Sequence, residues 1–111
     1  MRSNEFIFGD DQPWVEASPG LYRQVLGHDD NMLMARIRFN KGAIGSVHEH
    51  VHSQTSYVIS GKFEVQIAGE KKRLSAGDAF YIPPHVLHGA VCLEAGELID
   101  TFSPTREDFL K

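Results

Sequence analysis

Five of the six histidines in this 111-residue chain fall between positions 48 and 88. The densest group is Val47-His48-Glu49-His50-Val51-His52-Ser53-Gln54. Side chains at i and i+2 of a strand point to the same face, so His48 and His50 can present two imidazoles to one point. Neutral imidazole suits Zn, Ni, Cu and Fe, and a catalytic site takes about three or four protein ligands and leaves a position open. The further ligands must come from elsewhere in the chain, and the candidates are Gln54 and His88, the latter placed after the Pro83-Pro84 turn. His52 has the same parity but falls where the chain turns toward the next strand, and reads as a residue that supports or guards the ligands. His85, after two prolines, reads as a turn residue near the mouth, and His28 as part of a solvated loop. Cys92 lies in the apolar run Gly89-Ala90-Val91-Cys92-Leu93 and reads as a small core residue rather than a nucleophile.

The elements that must carry these groups are short strands. Turn residues recur at even spacing: Pro19-Gly20, Gly27-His28-Asp29-Asp30, Asn40-Lys41-Gly42, Ser60-Gly61, Gly69-Glu70, Ala76-Gly77-Asp78, Pro83-Pro84 and Ala95-Gly96. That pattern predicts an all-β sandwich or barrel. Phe63, Val65 and Ile67 alternate with Lys62, Glu64 and Gln66, the period of a half-buried strand. Leu33, Ala35, Ile37 and Phe39 alternate with Met34, Arg36 and Arg38, and Leu98, Asp100 and Phe102 share one face. Helix signals are scarce: Ser103-Pro104 starts one short turn through Asp108, and the Asp10–Glu16 stretch around Trp14 reads as loop or a short turn.

With 41% hydrophobic and 23% charged residues, the composition is that of a globular chain able to bury a core. No linker or low-complexity tract divides it, so residues 1–111 read as one domain. The net charge of −4 argues against a nucleic-acid or anionic-membrane partner. No apolar run is long enough to span a bilayer and no signal peptide is visible. The single cysteine cannot form an intrachain disulfide, and the expected compartment is the cytoplasm.

The histidine region resembles the first motif of the cupin superfamily: Gly42, five residues, His48-Glu49-His50, three residues, Gln54, six residues, Gly61. The second motif matches Gly77, five residues, Pro83-Pro84-His85, two residues, His88, three residues, Cys92. Spacing is kept throughout; Gln54 stands for Glu, His85 for Gly and Cys92 for Asn. The resemblance implies an all-β, single-domain cupin jelly-roll barrel with one divalent metal ion (Zn, Ni, Mn, Fe or Cu) at its inner face, held by His48, His50, Gln54 and His88. An amide oxygen brings no charge, so three imidazoles and Gln54 leave the ion a stronger Lewis acid and more receptive to an anion; the alternative is that Gln54 only hydrogen-bonds and the three histidines alone hold the ion. Non-haem iron oxygenases more often keep a carboxylate ligand.

Phe39-Asn40-Lys41-Gly42-Ala43-Ile44-Gly45, His50-Val51-His52-Ser53-Gln54, Cys92-Leu93-Glu94-Ala95-Gly96 and above all Phe102-Ser103-Pro104-Thr105-Arg106-Glu107-Asp108-Phe109-Leu110 resemble the KdgF family, cupins of pectin and alginate breakdown. That resemblance implies a metal-dependent, isomerase-type ring opening and ketonisation of 4,5-unsaturated uronate monosaccharides to linear keto sugars. It also implicates Asp100, Phe102 and Arg106 in the active site. A carboxylate among apolar residues suits proton transfer, and a guanidinium suits a substrate carboxylate. Asp100 and Arg106 are the expected catalytic residues, and Phe102 and Arg38 the expected substrate contacts. Arg106 has a competing reading as a surface partner of Glu107 or Asp108. Arg38 and Arg36, with Met34, either line the cavity or face solvent. Phe80, Tyr57 and Tyr81 read as packing residues. Competing functions are another metal cupin enzyme, either a dioxygenase or a sugar isomerase, and a non-catalytic sugar-binding cupin. Exposed sheet edges predict a homodimer, with Phe6, Ile7 and Phe8 as the exchanged segment.

Overall fold

A computed structural model describes all 111 residues. Eight antiparallel strands follow one another: β1 (Val15–Ser18), β2 (Leu21–His28), β3 (Leu33–Phe39), β4 (Ile44–His48), β5 (Ser53–Ile67), β6 (Glu70–Ser75), β7 (Ala79–Ile82) and β8 (His88–Ser103). The pairing order is β1-β2-β3-β8-β5-β6, with β4 added to β8 and β7 to β5.

Two long strands make this one sheet into a barrel. The first half of β8 pairs with β4 and with the second half of β5; its second half pairs with β3 and with the first half of β5. β5 and β8 therefore run through both layers. The sequence predicts breaks at Ser60-Gly61 and Ala95-Gly96, yet both are bends within continuous strands. Gly61 sits at φ +83°, and a Cβ there would lie 2.6 Å from the Glu94 carbonyl oxygen. A Cβ on Gly96 would collide with the Ser60 carbonyl. The two backbones touch at the bend, and only glycine allows that approach.

The alternation read from sequence sets the core. Leu33, Ala35, Ile37 and Phe39 of β3 face inward, with Phe63 and Val65 of β5 and Leu98 and Phe102 of β8. Phe39 and Phe63 meet edge to face at 5.0 Å. Phe63 is fully buried, so truncation to alanine costs about 3–5 kcal/mol. Cys92 is a core residue whose thiol donates to the Glu94 carbonyl at 3.1 Å.

Two short 3-10 turns close the ends, Gly9–Asp11 and Glu107–Leu110. The second begins later than the Pro104 start expected from sequence, because the Thr105 N–H donates to the Asp30 carbonyl at 3.3 Å and so ties that residue to the β2–β3 loop. The first lies over the outer face of β2, where the buried Gln24 amide donates to Gly9 O at 2.7 Å and Gln12 O at 3.1 Å. No helix is long and apolar enough to cross a membrane.

Candidate metal centre

The register of β4 on β8 sets His48 opposite His88. His50 follows in the loop after β4, and the His85 N–H holds its carbonyl at 2.8 Å. His85 itself adopts φ +63°, a conformation that glycine takes more readily, which accounts for the glycine of the cupin motif at this place. The three rings of His48, His50 and His88 lie with centroids 4.5–5.5 Å apart. One nitrogen from each lies within 4.8 Å of the others.

Each of these rings is oriented by its own backbone. His48 Nδ1 donates to Ser46 O at 2.7 Å, His88 Nδ1 to Val86 O at 2.8 Å and His50 Nδ1 to His52 O at 3.1 Å. A carbonyl only accepts, so each Nδ1 carries the proton and each Nε2 keeps a free lone pair. Burial pushes the pKa of His50 and of His88 below the ordinary imidazole value, which keeps both neutral and ready to ligate.

Gln54 lies beside the group. Its Nε2 donates to Ser56 Oγ at 3.0 Å, which aims Oε1 at the imidazoles. Gln54 Oε1 then lies 3.0 Å from His50 Nε2, so two acceptors face each other. A cation bound by both removes that conflict, and the donor set of three imidazoles and an amide oxygen fits one divalent ion.

On the far side of Gln54 stands a carboxylate. The β5–β8 register sets Gln54 opposite Phe102 and Ser56 opposite Asp100. Ser56 Oγ accepts from Gln54 and donates to Asp100 Oδ1, giving a buried chain from the amide to the carboxyl. Burial raises the Asp100 pKa to about 6, against smaller lowering effects of the Ser56 hydrogen bond and the Arg106 charge. A cavity of about 230 Å³ opens beside these groups, touched by His48, His88, Gln54, Asp100, Phe102 and Arg106.

The C-terminal segment closes one side. The Arg106 guanidinium lies 4.9 Å over Phe102 and 4.1 Å over Phe109. Its Nε and Nη2 donate to both oxygens of Asp108 at 3.0 and 2.8 Å, so the ion pair with Asp108 and the cavity position coexist. His52 Nε2 donates to Thr105 O at 3.2 Å and links the ligand loop to this segment.

Arg38 is not brought to the cavity. β3 turns Ile37 and Phe39 inward, so Arg36 and Arg38 face outward, where Arg38 stacks on Trp14 at 4.2 Å and lies 3.7 Å from Glu97. Tyr57 and Tyr81 are likewise exposed on the outer surface rather than packed, whereas Phe80 lies against the core. The arginine that does line the cavity from this side is Arg23 of β2. It shares a face with Leu21 and Val25 and lies opposite Ile37. One signal for it was in the sequence: a charge at position 23 between the apolar Leu21 and Val25 of the same strand face.

Comparison with known proteins matches residues 35–102 to the cupin domain. The pectin degradation protein KdgF of Dickeya dadantii (strain 3937) is 46% identical over 107 residues, covering 95% of this chain and 97% of that protein. The chain belongs to the KdgF group of the cupin family. The solved structure of KdgF from a Halomonas species superposes on this cupin with a TM-score of 0.91 at 41% identity, covering 96% of this chain and 99% of that one. An RmlC-like cupin from Shewanella frigidimarina NCIMB 400 superposes with a TM-score of 0.95 at 52% identity, covering 97% of both chains.

Proposed function

We propose that this cupin opens and ketonises 4,5-unsaturated uronate monosaccharides released from pectin or alginate, as an isomerase-type enzyme of the cytoplasm. The observation that carries the reading is the buried Asp100 carboxyl, with a pKa near 6, joined through Ser56 and Gln54 to the histidine cluster at the edge of a small cavity. The kinship with a KdgF pectin degradation protein supports this substrate class.

The reaction moves protons without net loss or gain. The anomeric hydroxyl gives up its proton as the bond from the anomeric carbon to the ring oxygen breaks, leaving an aldehyde and an enol. The enol then loses its hydroxyl proton while the alkene carbon gains one, which yields the ketone. Asp100 is the group suited to hold and return these protons, because a carboxyl with a pKa near 6 is populated in both forms close to neutral pH. Ser56, accepting from one side and donating to the other, fixes the orientation of Asp100. Phe102 forms an apolar wall beside Asp100 on the same strand face. Arg106, held by Asp108 and the two phenylalanine rings, brings a fixed positive charge to the mouth.

His48, His50, His88 and Gln54 are the residues proposed to hold a divalent ion. When bound, it supplies a Lewis acid that polarises substrate oxygens. The proposed state is a homodimer, and the exposed Phe6 and Phe8 supply apolar surface for the contact; elution at monomer mass in size exclusion argues against it.

The test follows the ultraviolet absorbance of the unsaturated uronate. The metal-loaded protein accelerates its decay, and chelation removes the effect. Unchanged decay at high protein concentration rejects the function.

A further inference from the structure

Arg23 is the charged group of the cavity that its surroundings leave unanswered. The side chain is half-buried, and it shares the inward face of β2 with Leu21 and Val25. Its guanidinium lies 3.8 Å over the Phe109 ring and forms no hydrogen bond or ion pair with any protein group. The groove on the other side of Arg23 and Phe109 has no Asp or Glu side chain in its lining. Burial pushes the Arg23 pKa down, with the charge of Asp108 acting the other way.

Three of the other arginines near this sheet are engaged. Arg106 spends Nε and Nη2 on Asp108, and Arg36 spends the same two atoms on Glu97. Arg38 shares Glu97 at 3.7 Å. A planar guanidinium with an open fork, desolvated against an aromatic ring, is a preformed receptor for a carboxylate. Part of the loss of hydration is already incurred in the free protein, which lowers the cost of pairing with a bound anion.

We propose that Arg23, rather than Arg106, holds the carboxylate of the acidic sugar and sets the preference of the cavity for uronates over neutral sugars. The inference rests on the uronate reading above. The carboxylate is borne by the alkene carbon attached to the ring oxygen, so anchoring it on β2 directs the reacting end of the sugar toward β5 and β8, where Gln54 and Asp100 stand. Arg23 thus acts on affinity and orientation, and Asp100 on the proton.

The experiment compares binding of galacturonate and of its methyl ester to metal-loaded protein by calorimetric titration. The ester replaces the carboxylate by a neutral group one methyl larger. The wild-type protein should bind the acid more tightly, and Arg23→Met should weaken the acid by roughly 10- to 100-fold while leaving the ester unchanged. Arg23→Lys, which keeps the charge without the fork, should fall between. Arg73→Met, at an exposed site on β6, controls for loss of one positive charge. Equal weakening of acid and ester, no preference in the wild-type protein, or a loss of preference in Arg106→Gln but not in Arg23→Met overturns the proposal. Binding is read without turnover, so a protein that binds through Arg23 but leaves the unsaturated uronate unchanged refutes the function and not this assignment.

Discussion

Two arginine–aromatic clusters stand on opposite faces of the same β2–β3–β8 sheet, and they end in different uses. On the outer face, Arg36 and Arg38 stack against Trp14 at 5.1 and 4.2 Å, and Glu97 accepts from Arg36 through both oxygens at 3.0 and 2.8 Å. On the inner face, Arg23 and Arg106 stack against Phe109 at 3.8 and 4.1 Å, and Asp108 answers Arg106 alone. Cation–π contact is common to both. What differs is how the acid is shared: Glu97 lies against both outer arginines, while Asp108 hydrogen-bonds Arg106 and leaves the Arg23 fork open near a titratable carboxyl and a group of imidazoles. Stacking on an aromatic ring is therefore no mark of a site, whereas a half-buried guanidinium that no anion hydrogen-bonds is.

That contrast can be broken most severely at the imidazoles. Removing metal with a chelator, or replacing His88 by alanine, should lower uronate conversion by roughly a thousandfold or more, because a bound ion is worth several kcal/mol to the reaction. Added divalent metal should restore the chelated protein and not His88→Ala. The next effect is at Asp100. Asp100→Asn should reduce kcat by about 100- to 10,000-fold with metal content unchanged by elemental analysis, the usual range for a lost general acid–base. Retained kcat would assign the proton to another group.

Asp100 also makes stability depend on pH. Its carboxyl has a pKa near 6 in the folded protein against an ordinary value of 3.8, so the folded state binds the proton more tightly than the unfolded one. This stabilisation is present below pH 4 and is lost as pH rises through 6. In metal-free protein, Asp100→Asn should therefore gain about 2–3 kcal/mol relative to wild type between pH 4 and pH 7, read from urea unfolding at each pH. A difference that stays flat would mean the carboxyl ionises freely.

The smallest effect belongs to the outer cluster. Glu97→Gln leaves Arg36 and Arg38 without their shared anion and should cost about 1–2 kcal/mol of stability, since both guanidiniums keep part of their hydration. Conversion of uronate should stay within about twofold of wild type, as expected for a closed surface network. A loss comparable with Asp100→Asn would erase the distinction between the two faces.

Much of the site was legible because its residues obey strand parity and motif spacing. His48 and His50, the fixed interval to Gln54, and His88 after two prolines stand out in one dimension, as do the apolar neighbours that turn Asp100 inward. Arg38 and Arg23 were harder to read. Both alternate within strands, and parity alone does not say which face of a sheet is the inside; Ile37 and Phe39 settle this only once they are seen in the core with Phe63. The glycines at 61 and 96 read as chain breaks for a similar reason, since a bend and a turn ask for the same residue.

Sequence by itself determined the kinds of ligand, their spacing, and the alternation that makes a β-barrel, because these are local properties of neighbouring residues. Tertiary structure decided which carboxyl loses water, where the three imidazoles meet, and which guanidinium finds no partner. Those outcomes depend on groups distant along the chain: Ser56 meets Asp100, His48 and His50 meet His88, and Arg23 meets Phe109. Desolvation and hydrogen bonding act through space, and only the closed barrel sets those distances.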